Sequence, residues 1–271
     1  MKRHFLALGI LIALACYSIF YLSFTAHLLS LQNVNYIVRT ALPFIMGGYA
    51  LAMGRSYSWF PPNEPARRKL LTTLLPQIAL PLAAAAILAA DQVGFFLRGL
   101  GVSLLTGVST ILFWQGFIWP QMSKTKGHFS AALRLSALQF LLSALIVFIT
   151  MVPVAGLQSL WGLLSFAGTL KVFEMFRVVA IIGAGLAFTL LIAGLVNFAL
   201  ARMMEWTSSI LYPALAYSIT TFLVGWAVNS RSSFAQQGAA FLPYLIAIAA
   251  IASFIYLYRG AKKLGDSAKA V

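Results

Sequence analysis

Apolar residues run along this chain in blocks, and polar residues are confined to the short gaps between them. The blocks can be read at 5–30, 36–53, 70–90, 99–120, 131–152, 178–201, 208–228 and 239–258. Each is close to the roughly 20 residues that a helix needs to cross a bilayer. Backbone that faces hydrocarbon must satisfy its hydrogen bonds within its own segment, so every block is predicted to be a helix. The expected fold class is therefore all-α: a polytopic transmembrane helical bundle of about eight spans, forming a single integral membrane domain over residues 1–271. A further apolar segment, 156–170, is short for a span. It reads as a re-entrant or interfacial piece, or as half of a broken helix.

The gaps set the organisation. Residues 54–69 form the longest polar connection, with Pro61-Pro62-Asn63-Glu64-Pro65 followed by Arg67-Arg68-Lys69. Its prolines predict an extended loop with a basic end suited to anionic headgroups. Ser123–His128 is a second polar connection, and 259–271 is a short basic tail expected to fray. With the N-terminus in the cytoplasm, fourteen of the nineteen Lys and Arg residues fall on the cytoplasmic side. The other five, Arg39, Arg98, Lys171, Arg177 and Arg231, fall outside. This bias supports eight spans in the inner (plasma) membrane with both termini cytoplasmic.

Composition agrees with the pattern. The chain is 61% hydrophobic and 9% charged, with a mean hydropathy of +0.91. Ordinary globular chains hold about 45–50% apolar residues. The net charge of +14 could suggest a nucleic-acid partner, but the basic residues lie in short loops between spans. That is a topology signal, so no nucleic acid is expected. Cys16 is the sole cysteine, which excludes an intrachain disulfide. It sits inside the first apolar block, which continues through Tyr17–Phe24, so a lipoprotein cleavage site is not favoured.

Chemistry-bearing residues are few. The acids are Glu64, Asp91, Glu174, Glu205 and Asp266, all in loops or at span ends, and the histidines are His4, His27 and His128. This set offers no metal-ligand spacing and no intramembrane proton relay, so neither metal nor cofactor is expected. Each lysine falls in a loop or terminus, which disfavours a Ser–Lys nucleophile in the membrane. Glu174 and Arg177 are spaced to pair on one helical face. Glu205 beside Trp206 suits the inner interface.

Three segments carry a resemblance. Thr110-Ile111-Leu112-Phe113-Trp114-Gln115-Gly116-Phe117 resembles the first motif of the CAAX-protease and bacteriocin-processing (CPBP) family, Glu-Glu-x-x-x-Arg-Gly-Phe. Ser136-Ala137-Leu138-Gln139-Phe140 resembles its second motif, Ser-Ala-x-x-Phe-x-x-x-His. Ser208–Ser218, with Tyr212-Pro213-Ala214, is similar to its later Gly-Ser-Leu-Trp-Pro-Ala-Ile-Leu-x-His segment. The order matches too, across roughly residues 70–228.

The departures fall on the chemistry. Thr110 and Ile111 stand in place of the glutamate pair, Gln115 in place of arginine, and Ala144 in place of the second-motif histidine. Ser218, or Tyr217 in a shifted register, replaces the later histidine; Phe222 or Thr221 replaces the asparagine beyond it. In the family a glutamate is thought to activate water, with histidines to position it. No register restores either group here.

The resemblance thus implies a CPBP-like core that is catalytically inactive. Its expected role is as a membrane-embedded binding, assembly or regulatory partner. Gln139, Asn197, Tyr217 and Thr221 are candidate polar residues of the inherited cavity. Read without the resemblance, Gln115, Gln139, Asn197 and Thr221 are interhelical hydrogen bonders contributing about 1 kcal/mol each. Expected partners are membrane lipids and another integral membrane protein or a hydrophobic peptide segment. The rival readings are an active CPBP-type intramembrane peptidase using non-standard groups, a transporter subunit, and a bacteriocin-immunity-type protein.

Overall fold

A computed structural model of the chain describes residues 31–52, 58–59, 93–124, 127–144, 165, 172–229, 236, 238 and 240–269. Among these residues the regular structure is helical throughout. It comprises α1 (Leu31–Ala52), α2 (Val93–Ile111), a π-helical segment (Leu112–Ile118) leading into α3 (Trp119–Ser123), and α4 (128–144). After these come α5 (Val172–Thr207), α6 (Leu211–Asn229) and α7 (Leu242–Lys269).

Among the described residues, four stretches are long and apolar enough to cross a membrane: Leu97–Ser123, Glu174–Thr207, Leu211–Asn229 and Leu242–Lys263. The chain is a helical membrane-spanning protein. The four stretches overlie the blocks expected at 99–120, 178–201, 208–228 and 239–258. Helices α1 and α4 fall on 36–53 and on the first part of 131–152. The blocks at 5–30 and 70–90, the 156–170 segment apart from Ser165, and the 54–69 loop apart from Ser58 and Trp59 lie outside the described residues.

The boundaries differ from the apolar blocks in an instructive way. Helix α5 runs beyond 178–201 at both ends. Hydropathy marks where the chain is greasy, whereas a helix continues as long as its ladder is supported. Glu174 sits in the first turn of α5, where a carboxylate meets the positive end of the helix dipole. The tail from Arg259, expected to fray, is helical to Lys269.

By internal contacts the chain divides into two compact units, one comprising Met1–Leu42 and Met122–Phe198, the other Pro43–Gln121 and Ala199–Val271. In the first unit α4 rests on α5 near its residues 194–198. A Cβ at Gly194 would lie 2.7 Å from Leu133 Cδ2, so the absence of a side chain there admits Leu133. Phe129 and Phe198 meet edge to face with centroids 6.4 Å apart. Ahead of this contact, every residue of α5 from Glu174 to Thr189 is exposed. A helix that is apolar on all sides and uncovered by protein is suited to a lipid surround.

In the second unit α2 and α6 pack antiparallel. Gly99 faces Phe222 at one level, and Ser103 and Gly107 face Ser218 further along. The Ser103 hydroxyl donates to the Ser218 carbonyl oxygen at 3.0 Å, joining the two helices. At Gly107 the backbones approach so closely that an added Cβ would overlap the Ser218 hydroxyl and lie 3.3 Å from Ser218 Cα. Small residues at such crossings let transmembrane helices gain dispersion contact, since lipid offers no hydrophobic drive for association. Around this crossing Ile219, Phe222, Leu223, Trp226 and Ala227 of α6 form a core with Ile246 and Ala250 of α7. The turn from α5 to α6 is closed by Ser208, with φ at 48°, a left-handed conformation common just past helix ends. It is tied to the distant connection between α1 and α2 by Ser209 Oγ donating to the Trp59 carbonyl at 2.7 Å and Ile210 N–H donating to that of Ser58 at 3.0 Å.

The Gly107 crossing yields a test. Gly107→Ala should lower stability in detergent by about 1–3 kcal/mol, the usual cost of overpacking. Gly101→Ala, in the same helix with nothing within 4 Å of its Cβ position, should be neutral or stabilising. Equal effects in thermal or denaturant unfolding would show that the crossing is not tight.

Candidate functional site

The motif residue Gln115 lies in the middle of the π-helical segment, and all seven residues Leu112–Ile118 are buried. A π turn bonds i to i+5 and rotates the residues beyond it relative to an α register; such turns are rare and often mark functional positions. Here it is filled with aromatic rings. Phe113 meets Trp114 edge to face at 4.9 Å and stacks on Phe117 at 6.1 Å. Tyr49 of α1 meets Phe117 edge to face at 5.7 Å. Gln115 is thus a polar side chain held in a segment walled by large apolar groups.

The other degenerate positions have varied surroundings. Thr110 is half-buried and its hydroxyl donates to the Thr106 carbonyl at 2.7 Å. Ile111 is fully buried. Ser218 is fully buried and its hydroxyl donates to the Ala214 carbonyl at 2.7 Å. Phe222 is buried and lies against Trp226, with ring centroids 6.4 Å apart. Ala144 is exposed, at the last described position of α4. Tyr217 is half-buried, while Thr221 donates to the Tyr217 carbonyl at 2.8 Å and to that of Ser218 at 3.1 Å. Ser218 meets α2 at Ser103 and Gly107, ahead of the π-helical segment that holds Gln115.

The pattern among the hydroxyls has a chemical meaning. Thr110, Ser218 and Thr221 all donate to carbonyls one turn back in their own helices. A serine or threonine nucleophile needs a base to take its proton, and a peptide carbonyl is not one. Among the described residues no group of three or more His, Cys, Asp or Glu is placed to hold a metal ion.

Two of the cavity candidates do meet. Asn197 of α5 donates from Nδ2 to Ser136 Oγ and to Gln139 Oε1 of α4, both at 2.8 Å. Gln139 Nε2 returns to Asn197 Oδ1 at 3.5 Å. Ser136 Oγ in turn donates to the Ala132 carbonyl at 3.0 Å. Asn197 and Ser136 are buried and Gln139 is half-buried. The group is neutral. It joins two helices through side-chain amides, which is the work polar residues commonly do within membranes.

A second polar cluster was only half readable in the chain. Glu205 accepts from Arg202 at 2.8 Å and, through its other oxygen, from the Trp119 indole N–H at 3.2 Å. The Arg202 partner, three residues back, is a local spacing that sequence exposes. The Trp119 partner lies 86 positions away and needed the fold.

Comparison with known proteins brings no match: no family model, no curated protein and no solved structure matches the chain. The class of protein is therefore set by the helices themselves, as a helical membrane-spanning protein.

A double-mutant cycle tests the amide group. Asn197→Ala and Gln139→Ala should each destabilise the protein, with a coupling of about 0.6 kcal/mol and at most about 1.7, the range found for hydrogen bonds between membrane helices. Additive effects in reversible unfolding would show that the two amides do not act as a pair.

Proposed function

We propose that the chain is a degenerate relative of the CPBP intramembrane proteases, with a CPBP-like core of about eight spans, acting without catalysis. Its role is to hold another integral membrane protein, or a hydrophobic peptide segment, within the bilayer. It sits in the inner (plasma) membrane with both termini in the cytoplasm. Fold-level likeness does not fix function, so the reading rests on particular positions.

The observation that carries it is the chemistry at the motif positions. Thr110, Ile111, Gln115, Ala144 and Ser218 stand where the family has its glutamates, arginine and histidines. The two hydroxyls among them are turned to carbonyls of their own helices. General acid–base help is worth about 10²–10⁴-fold, and it needs a group that can take a proton near neutral pH. In a binding partner these positions serve instead as packing surface and neutral hydrogen-bonding groups. The outward-facing apolar length of α5 offers such a partner a helix surface to pack on.

The test is an assay of purified, metal-free protein on a prenylated or membrane-embedded peptide. No cleavage is expected from wild type or from Gln115→Ala. Cleavage that stops when Thr110 or Gln115 is replaced would overturn the reading. In parallel, solubilisation in mild detergent should retain a bound membrane protein identifiable by mass spectrometry. For the topology, a reporter active only outside the cytoplasm, fused after Val271, should stay silent; strong activity would sink the eight-span arrangement.

A further inference from the structure

Helix α7 is longer than a membrane requires. Its 28 residues extend about 42 Å at 1.5 Å each, against a hydrocarbon thickness of roughly 30 Å. Arg259 lies about 26 Å along the axis from Leu242, so a hydrocarbon layer that begins at Leu242 ends close to Arg259. One side of the helix changes character at this level. Ile248, Ile251 and Ile255 are exposed, and Arg259, Lys262 and Lys263 continue the same side, also exposed. Steps of three, four and seven residues keep these positions on one face.

The opposite side anchors this stretch to the second unit. Leu257, Ala261 and Gly265 are buried. The Tyr212 hydroxyl donates to the Leu257 carbonyl at 3.0 Å, and a Cβ at Gly260 would lie 2.8 Å from that same hydroxyl oxygen. The Trp206 ring packs on Tyr258 at 5.2 Å, and its Cβ would lie 2.8 Å from a Cβ at Gly265. Trp and Tyr at this level are what a headgroup interface favours. The cations are therefore presented from a helix held in place, so little order is lost when something binds them.

We propose that this face of α7 is a binding site for an anionic phospholipid. An acyl chain lies along Ile248, Ile251 and Ile255, and the phosphate headgroup is held by Arg259, Lys262 and Lys263. Asp266, one turn further out on the same side, leaves the cluster net positive. The charge is complementary to an anionic headgroup at the depth where headgroups lie. The apolar stripe leading to it is complementary to the chain of that same molecule, which is why a lipid is the occupant. The site rests on the helix and its anchoring alone, and it stands whether or not the chain has lost a catalytic centre.

The experiment uses the full chain, delipidated in detergent and titrated with phosphatidylglycerol or phosphatidylcholine of matched acyl chains, with bound lipid read by native mass spectrometry. Wild type should prefer phosphatidylglycerol by about tenfold or more, as expected for several basic residues at a membrane surface. Arg259→Gln/Lys262→Gln/Lys263→Gln should reduce the preference to about twofold or less. Lys124→Gln/Arg134→Gln, which removes exposed cations elsewhere, should keep it. No preference in wild type, an unchanged preference in the triple variant, or an equal loss in the control would each overturn the site. Should the triple variant not fold, Lys262→Gln alone decides: a fall of about threefold supports the site and an unchanged preference overturns it.

Discussion

In hydrocarbon every peptide N–H and C=O must find its partner inside the protein, and this requirement governs nearly everything in the chain. It makes the membrane stretches helical whatever their residue propensities. It also draws polar side chains toward the nearest carbonyl. Thr106, Thr110, Ser136, Thr189, Thr207, Ser218 and Thr221 all donate one turn back within their helices. A hydroxyl so used is neither a loose polar group in lipid nor a poised nucleophile. Among the described residues, helices are joined by the amides of Asn197 and Gln139, the Trp119 indole, and the hydroxyls of Ser103, Ser136 and Tyr212.

With the backbone satisfied internally, helix association depends on close contact. The α2–α6 crossing at Gly107 and Ser218 shows how this is achieved: a position without a side chain meets a small one, and a neighbouring serine bonds across. The aromatic residues do complementary work. They fill the π-helical segment around Gln115 and, as Trp119, Trp206, Tyr212 and Tyr258, they tie the ends of α3, α5, α6 and α7 together. Aromatic residues near one end of the second unit thus lie beside the basic residues of α7. Apolar body and polar tip suit the border between hydrocarbon and headgroups.

A motif-bearing residue is informative in proportion to what surrounds it. Ser218 matches a catalytic position by order along the chain, yet its surroundings are a glycine, a serine hydroxyl and helix carbonyls. Asn197 belongs to none of the three motif segments, yet it reaches two residues of the second motif, Ser136 and Gln139. Chemistry depends on neighbours, and neighbours in a bundle come from segments far apart in the chain.

Sequence by itself determined the environment and the element type. Apolar blocks of span length call for helices in lipid, so α5 and α6 were readable to within two turns, while α7 ran about three turns past its apolar block into the basic tail. The small number of acids and histidines likewise limited what chemistry the chain could hold. Tertiary structure decided what a one-dimensional pattern cannot contain. It chose which face of each helix is covered, as with the bare stretch of α5 and the two-sided α7. It placed Gln115 in a π-helical segment whose hydropathy is that of any apolar helix. It also paired Asn197 with Gln139 and Trp119 with Glu205. The physical reason is that helix formation in a membrane is a local demand of the backbone, met residue by residue. Partner choice is instead a collective result of packing between helices, and it is fixed only when they are side by side.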